Sequence, residues 1–196
     1  MGNRGTSLVE LLVGILLLGV FAVVVHQFFR TVLHGVRVLE VASEAQEAAR
    51  IGVQQMVRDL RGAGFSPNTP LPDGIRLATA DAVEVQSDLN GDGDTADANE
   101  VVGYSLSRSA RTLMRILGQA PPQPMIPDLA PDGLALAYLD ADGMPLPMAN
   151  GRVDDGDRER IRRIDVILRI EIAHPDPAYR QPLRALETAT VALRNR

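Results

Sequence analysis

The chain has 196 residues, a net charge of -5, 45% apolar residues and no cysteine, and all twenty of its basic residues are arginine. The missing cysteines exclude disulfides, a thiolate nucleophile and a thiolate metal site, and the missing lysine excludes Walker A and Schiff-base chemistry. The acidic balance argues against a nucleic-acid surface, and the length suits an anchor plus one domain of roughly 130 residues with a modest core.

Met1 to Gly5 is a short polar leader with Arg4 as its one charge. From Leu8 to Val25 the only charged side chain is Glu10, in a run of about 18 residues and about 27 Å of helix, close to a bilayer's hydrocarbon thickness. A lone carboxylate there costs about 2.5 to 3.5 kcal/mol near the membrane centre and less near an interface, so Glu10 needs shallow placement or a partner. Taken alone it reads as an interfacial Glu at the start of an anchor. A cleaved secretory signal would end in a small-x-small site, which Val20 to Phe29 does not offer.

The helical pattern also continues past the run. Val38, Val41, Ala42, Ala45, Ala48, Ala49, Gly52, Val53, Met56, Val57 and Leu60 recur at spacings of three and four, the mark of one buried stripe, with Glu40, Glu44, Glu47, Arg50, Arg58 and Asp59 mostly off it. An unbroken helix from Thr6 to Arg61 would be about 84 Å long. Gly62-Ala63-Gly64 and then Pro67 are expected to end it, a glycine supplying the left-handed cap.

Strand patterns follow at 74–77, 82–86, 101–107, 112–117, 134–139, 164–172 and 186–194. The clearest is 164–172, where every even position is apolar and charges fall on the other face. The amphipathic half-helix is its natural cover, which gives an α+β domain with an antiparallel sheet against the outer half of the long helix. Two stretches read as surface loops, Gly118 to Gly133 with five prolines and Asp140 to Asp157 with Asp-Gly turns. Arg158, Arg160, Arg162 and Arg163 read as a solvated strand edge, and Tyr104 and Tyr138 as core.

Between Leu77 and Ser107 there are seven acids (Asp81, Glu84, Asp88, Asp92, Asp94, Asp97, Glu100) and no basic residue. Within this segment Asp88, Asn90, Asp92 and Gly93 match positions one, three, five and six of an EF-hand-like calcium loop, with Asp94 and Glu100 as further oxygen ligands. The acid falls one residue late, because position twelve is Asn99. The bland alternative is an acidic hairpin loop kept soluble by its charge. If a metal binds, an all-oxygen set points to Ca2+. His26 and His34, eight apart, and His174 form no zincin pair and suggest no His-containing triad, so no catalytic activity is expected.

Gly5 followed by Glu10 at the entry to an apolar run, Gly-x-x-x-x-Glu after a short polar leader, resembles the class III signal of type IV prepilins and pseudopilins. The resemblance implies cleavage between Gly5 and Thr6 by prepilin peptidase, a methylated new amino terminus, and Glu10 at the fifth mature position in support of assembly; a physical rationale is that in a helical stack of subunits the buried carboxylate can pair with the amino terminus of its neighbour. The chain departs from the family in having Thr6 where Phe or Met is usual and no proline in the membrane half. The order of long helix then antiparallel sheet resembles the pilin fold. Arg58-Asp59-Leu60-Arg61-x-Ala63-Gly64-Phe65, Tyr104-Ser105-Leu106 with Leu113-Met114-Arg115, and Val191-Ala192-Leu193-Arg194-Asn195 resemble minor pilins of the PilW and pseudopilin J type.

The resemblance divides the chain into a leader (1–5), the transmembrane half of the helix (6–30), its amphipathic half (31–62) and a β-sheet domain (63–196). It implies a structural minor pilin that takes part in pilus assembly or priming. Such a subunit sits in the inner membrane with a cytoplasmic amino terminus, then joins a pilus or pseudopilus with other pilin subunits as partners. A minor pseudopilin of a type II secretion system shares this architecture. A calcium-dependent pilus-tip adhesin is the alternative from the binding class. A membrane-anchored hydrolase using Asp and Glu would need a concave carboxylate cluster outside the acidic loop.

Overall fold

The computed structural model describes residues 7–68, 71 and 74–195. Helix α1 (Leu8–Arg61) runs unbroken for 54 residues, about 81 Å. Its buried residues are Ala45, Ala49, Gly52, Val53, Met56 and Leu60, the expected stripe. Burial is thus confined to the outer half, the half with small and branched residues at helical spacing.

The helix ends as a tightening turn. Gly62 is still right-handed at φ -76° and donates its N–H to Asp59, and the left-handed glycine is Gly64 at φ +75°, so the expected reversal falls two residues after Gly62. Gly64 then donates to the carbonyl of Gln86, which ties the turn to the sheet. Here the chain tolerates no side chain on a neighbour either, since a Cβ on Gly74 would lie 2.5 Å from the Gly64 nitrogen.

Among the described residues ten strands follow, all paired antiparallel: β1 (Ile75–Ala78), β2 (Ala82–Gln86), β3 (Val101–Ser107), β4 (Thr112–Leu117), β5 (Gln123–Ile126), β6 (Leu129–Leu139), β7 (Met148–Ala149), β8 (Arg152–Val153), β9 (Arg163–Ile172) and β10 (Leu183–Ala192). They form a five-stranded meander β1-β2-β3-β4-β5, a three-stranded sheet β10-β9-β6 and a small β7-β8 hairpin, so the expected single sheet is divided. Helix α1 packs mainly on β10 and β9, with β5 of the other sheet alongside.

Strand β9 carries the helix-facing core: Ile164, Val166, Leu168 and Ile170 are buried while Asp165, Ile167 and Arg169 alternate outward. Tyr104 and Tyr138 are buried, in line with their strand patterns. Gly52 marks the closest approach of helix and sheets: a Cβ there would lie 2.2 Å from Ile126 Cδ1 and 3.0 Å from Leu168 Cδ2.

Three readings are corrected. The proline-rich stretch 118–133 holds β5 and the start of β6. Proline is tolerated because β5 is a sheet edge, and β6 shifts register between Leu129 and Leu134 around Pro131. The stretch 140–157 contains the β7-β8 hairpin and the first residues of a short helix, α2 (Asp155–Arg158). Arg158 is no solvated edge residue: its Nη1 reaches back to the carbonyls of Ile75 and Arg76 on β1.

Candidate functional site

The first feature that the fold does not use for itself is the inner half of α1. From Leu8 to Phe29 nearly every side chain is exposed, Leu8 at 77% and Leu18 at 71% among them. This segment is long and apolar enough to cross a membrane by length and composition. Gly14 and Gly19 lie within it, and a Cβ on either would meet nothing within 4 Å, so nothing in the described fold requires glycine there.

Glu10 sits in the first turn. Its Oε2 accepts the N–H of Ser7 at 3.1 Å, half of a capping box in which an acid also complements the positive end of the helix dipole. Gly5 and Thr6, the expected cleavage pair, lie outside the described residues.

The acidic loop between β2 and β3 is the second feature, and it is built by its own acids. Asp88 and Glu100 are buried. Asp88 Oδ1 accepts from Gly91 N–H at 2.6 Å, and Oδ2 accepts from Gly93 N–H and the Ser66 hydroxyl, each at 3.1 Å. Glu100 Oε1 accepts from Leu89 N–H at 2.9 Å, and its backbone carbonyl accepts from Ser87. Gly91 and Gly93 stand at φ +79° and +89°, a conformation that glycine adopts at no steric cost.

Around this frame Asn90, Asp92 and Asp94 each accept the N–H two residues on, a run of Asx turns. The Asn90 amide nitrogen donates to Asp92 at 2.9 Å and to Asp97 at 2.7 Å. The N–H of Asp94 and the Asn90 amide hold the Asp92 carboxyl below its ordinary range. Asp97 moves the other way: the charge on Glu100, with burial and the charges on Asp92 and Asp94 behind it, pushes its carboxyl up. Asp97 is one of the seven clustered acids but stands outside the oxygen-ligand set of the EF-hand-like match. Among the described residues no three His, Cys, Asp or Glu side chains form a group placed to hold a metal ion.

Two polar nodes that the sequence did not signal fix the helix and the sheets to one another. Asp59 on α1 accepts from Tyr104 on β3 and from Arg115 on β4 through Oδ2, while Gln55 donates to Oδ1 at 3.0 Å. Arg111, left-handed at φ +49° in the β3-β4 turn, donates from Nε to the Leu129 carbonyl and from Nη2 to the Glu171 carbonyl, each at 2.8 Å, so it joins the two larger sheets. The residue types carried no clue, since a lone Arg in a turn and a lone Asp in a helix read as surface.

No protein family and no curated protein matches this sequence. Among solved structures, a type IV-like pilin from Thermus thermophilus superposes with a TM-score of 0.46 at 15% identity, over 76% of this chain and 96% of that chain.

Proposed function

We propose that the chain is a structural subunit of a type IV pilin-like filament, a minor pilin of the PilW type. It would be inserted in the inner membrane with a cytoplasmic amino terminus and processed by prepilin peptidase between Gly5 and Thr6. One observation carries the reading: a single helix is sealed against the sheets over its outer half and left bare and apolar over its inner half. Such a surface needs a covering in water, and a bilayer followed by the helices of neighbouring subunits supplies one without refolding.

Glu10 then has two successive roles. In the lone subunit it accepts the Ser7 N–H, and on assembly it exchanges that bond for the charged amino terminus of a neighbour, a stronger charge-assisted pair in an apolar surround. Assembly tests this: Glu10→Ala leaves membrane insertion intact and removes the protein from sheared filaments. Loss of the variant from the membrane as well assigns Glu10 to anchoring and contradicts the assembly role. The minor pseudopilin of a type II secretion system remains the alternative within the same architecture, and sheared surface filaments against a periplasmic location separate the two.

For the acidic loop the proposal is Ca2+, held by Asp88, Asn90, Asp92, Asp94 and Glu100 with Asp97 added. Its support is the mutual repulsion around Asp97, which a divalent cation would relieve. Binding requires the Asn90 amide to turn its oxygen toward the acids in place of its nitrogen. A calcium-dependent adhesin is favoured over a purely structural loop only where Ca2+ alters binding to a surface partner and not stability alone.

A further inference from the structure

We propose that the loop between β9 and β10, residues 173–182, seats an anionic phospholipid headgroup against helix α1 where the apolar segment ends. The inference rests on reading Leu8 to Phe29 as a membrane span. Those residues cover about 33 Å of helix, which brings Arg30, the first arginine on α1, to headgroup depth.

The sheet domain does not stop short of that level. The β9-β10 loop comes back along the helix and closes a groove of about 780 Å³, in which Arg30, Thr31 and His34 of α1 face His174, Asp176 and Tyr179 of the loop. The loop is shaped by its own contacts. Asp176 N–H donates to His174 Nδ1 at 3.0 Å, Asp176 Oδ1 accepts from Ala178 N–H at 2.9 Å, and the rings of His174 and Tyr179 lie 4.7 Å apart. The one acid in the groove therefore has an oxygen engaged in its own turn, and the Thr31 hydroxyl is engaged with the Gln27 carbonyl at 3.0 Å.

The cations are left for an outside partner. Arg30, and Arg37 and Arg180 nearby in the chain, join no salt bridge among the described residues. Tyr179 is 63% exposed although its ring lies tilted against that of His174, and Phe28 and Phe29 meet edge to face just before Arg30. Amphipathic aromatic rings with arginine at the end of an apolar helix are the composition of a membrane interface. The acid-rich loop, by contrast, contacts Ser66, about 45 Å or more farther along the chain's long axis, so the Asp176 carboxylate is the one acid of the groove that an anion meets beside Arg30 and His174. A phosphodiester at headgroup level would meet the Arg30 guanidinium from the helix and the His174 imidazole from the loop.

The chain has no tryptophan, so a single one reports its own surroundings. Full-length Tyr179→Trp is reconstituted in vesicles of phosphatidylcholine, with and without phosphatidylglycerol, each carrying a quencher at headgroup depth; Phe21→Trp, in the same lipids with the quencher placed on the acyl chains, serves as the probe of the span. The expected result is quenching of both probes, with Trp fluorescence at position 179 quenched about twofold more strongly when phosphatidylglycerol is present. Arg30→Gln with His174→Ala is expected to remove that preference while leaving the Phe21→Trp signal unchanged. Equal quenching in the two lipids overturns headgroup recognition. An unquenched probe at 179 beside a quenched probe at 21 overturns the loop's membrane contact and leaves the span standing. Loss of quenching at both positions overturns the span reading and the proposal with it.

Discussion

Tyr104 on β3 donates its hydroxyl to Asp59 Oδ2 on α1 at 2.5 Å, and Arg115 on β4 donates to the same oxygen at 2.8 Å. Forty-five and fifty-six residues of chain separate these partners from Asp59, so the node closes only when the helix has docked. Its carboxylate is the shared acceptor, and removing it leaves three donors, Tyr104, Arg115 and Gln55, without it in a partly buried site. Asp59→Ala is expected to cost about 2 to 3 kcal/mol and Tyr104→Phe about 1 kcal/mol, measured by denaturant unfolding of the chain in detergent. A double variant that loses the sum of the two would show that the residues act independently and contradict a shared node.

Burial, aided by the Asp59 carboxylate, pushes the Tyr104 phenol well above its ordinary value, and burial does the same for Tyr138. A raised phenol binds its proton more tightly in the fold than in the unfolded chain. This contribution is fully present below about pH 10 and is lost as pH rises beyond it. A spectrophotometric titration is expected to show no more than one of the three tyrosines ionising before the protein unfolds. Early ionisation of two or three phenols would contradict the buried node.

Gly52 tests the helix-sheet approach. Gly52→Val places methyl groups where Ile126 Cδ1 and Leu168 Cδ2 already lie and is expected to cost about 1 to 3 kcal/mol by overpacking. Gly52→Ala is expected to cost less, because a helix-interior Gly→Ala change returns about 1 kcal/mol and the atom in the way is the tip of a flexible side chain. Pairing it with Ile126→Val should recover part of the loss, as read from the unfolding midpoints. No recovery would mean that the helix packs elsewhere.

This position also shows where the sequence was readable and where it was not. Gly52 was legible as one member of a stripe, because stripes are periodic; that it is the point of closest contact depends on β5, which comes from a stretch rich in proline. Strands β2, β3 and β4 were legible to the residue from alternation alone, and β9 nearly so. Strand β5 was not, since proline is a breaker everywhere except at an edge, and an edge is a property of the finished sheet. The Arg111 bridge and the Asp59 node were illegible for the same reason: their partners are backbone carbonyls and distant side chains that no local pattern specifies. In the acidic loop the run of acids was legible, whereas the burial of Asp88 and Glu100 and the bond from Asn90 to Asp97 emerge only from the fold of the loop.

The loop gives a pH-dependent prediction. Asp97 is held above its ordinary value by Glu100 and its neighbours, so its ionisation costs stability: the penalty is absent below the unfolded-state value and sets in as pH rises through the folded one. Asp97→Asn is therefore expected to raise the thermal midpoint at neutral pH in chelator and to reduce the gain on adding Ca2+. A calcium titration by calorimetry and by thermal melting checks both. A wild-type protein whose midpoint does not move in millimolar Ca2+ contradicts calcium binding at the loop.

The measurement that bears most directly on the central claim is the intact mass of the protein from membranes of its own host, with and without prepilin peptidase. The account predicts a mass lacking Met1 to Gly5 and carrying one added methyl group when the peptidase is present, and the full-length chain when it is absent. A full-length mass in both backgrounds, or a chain cut after the apolar run, would contradict the filament-subunit account.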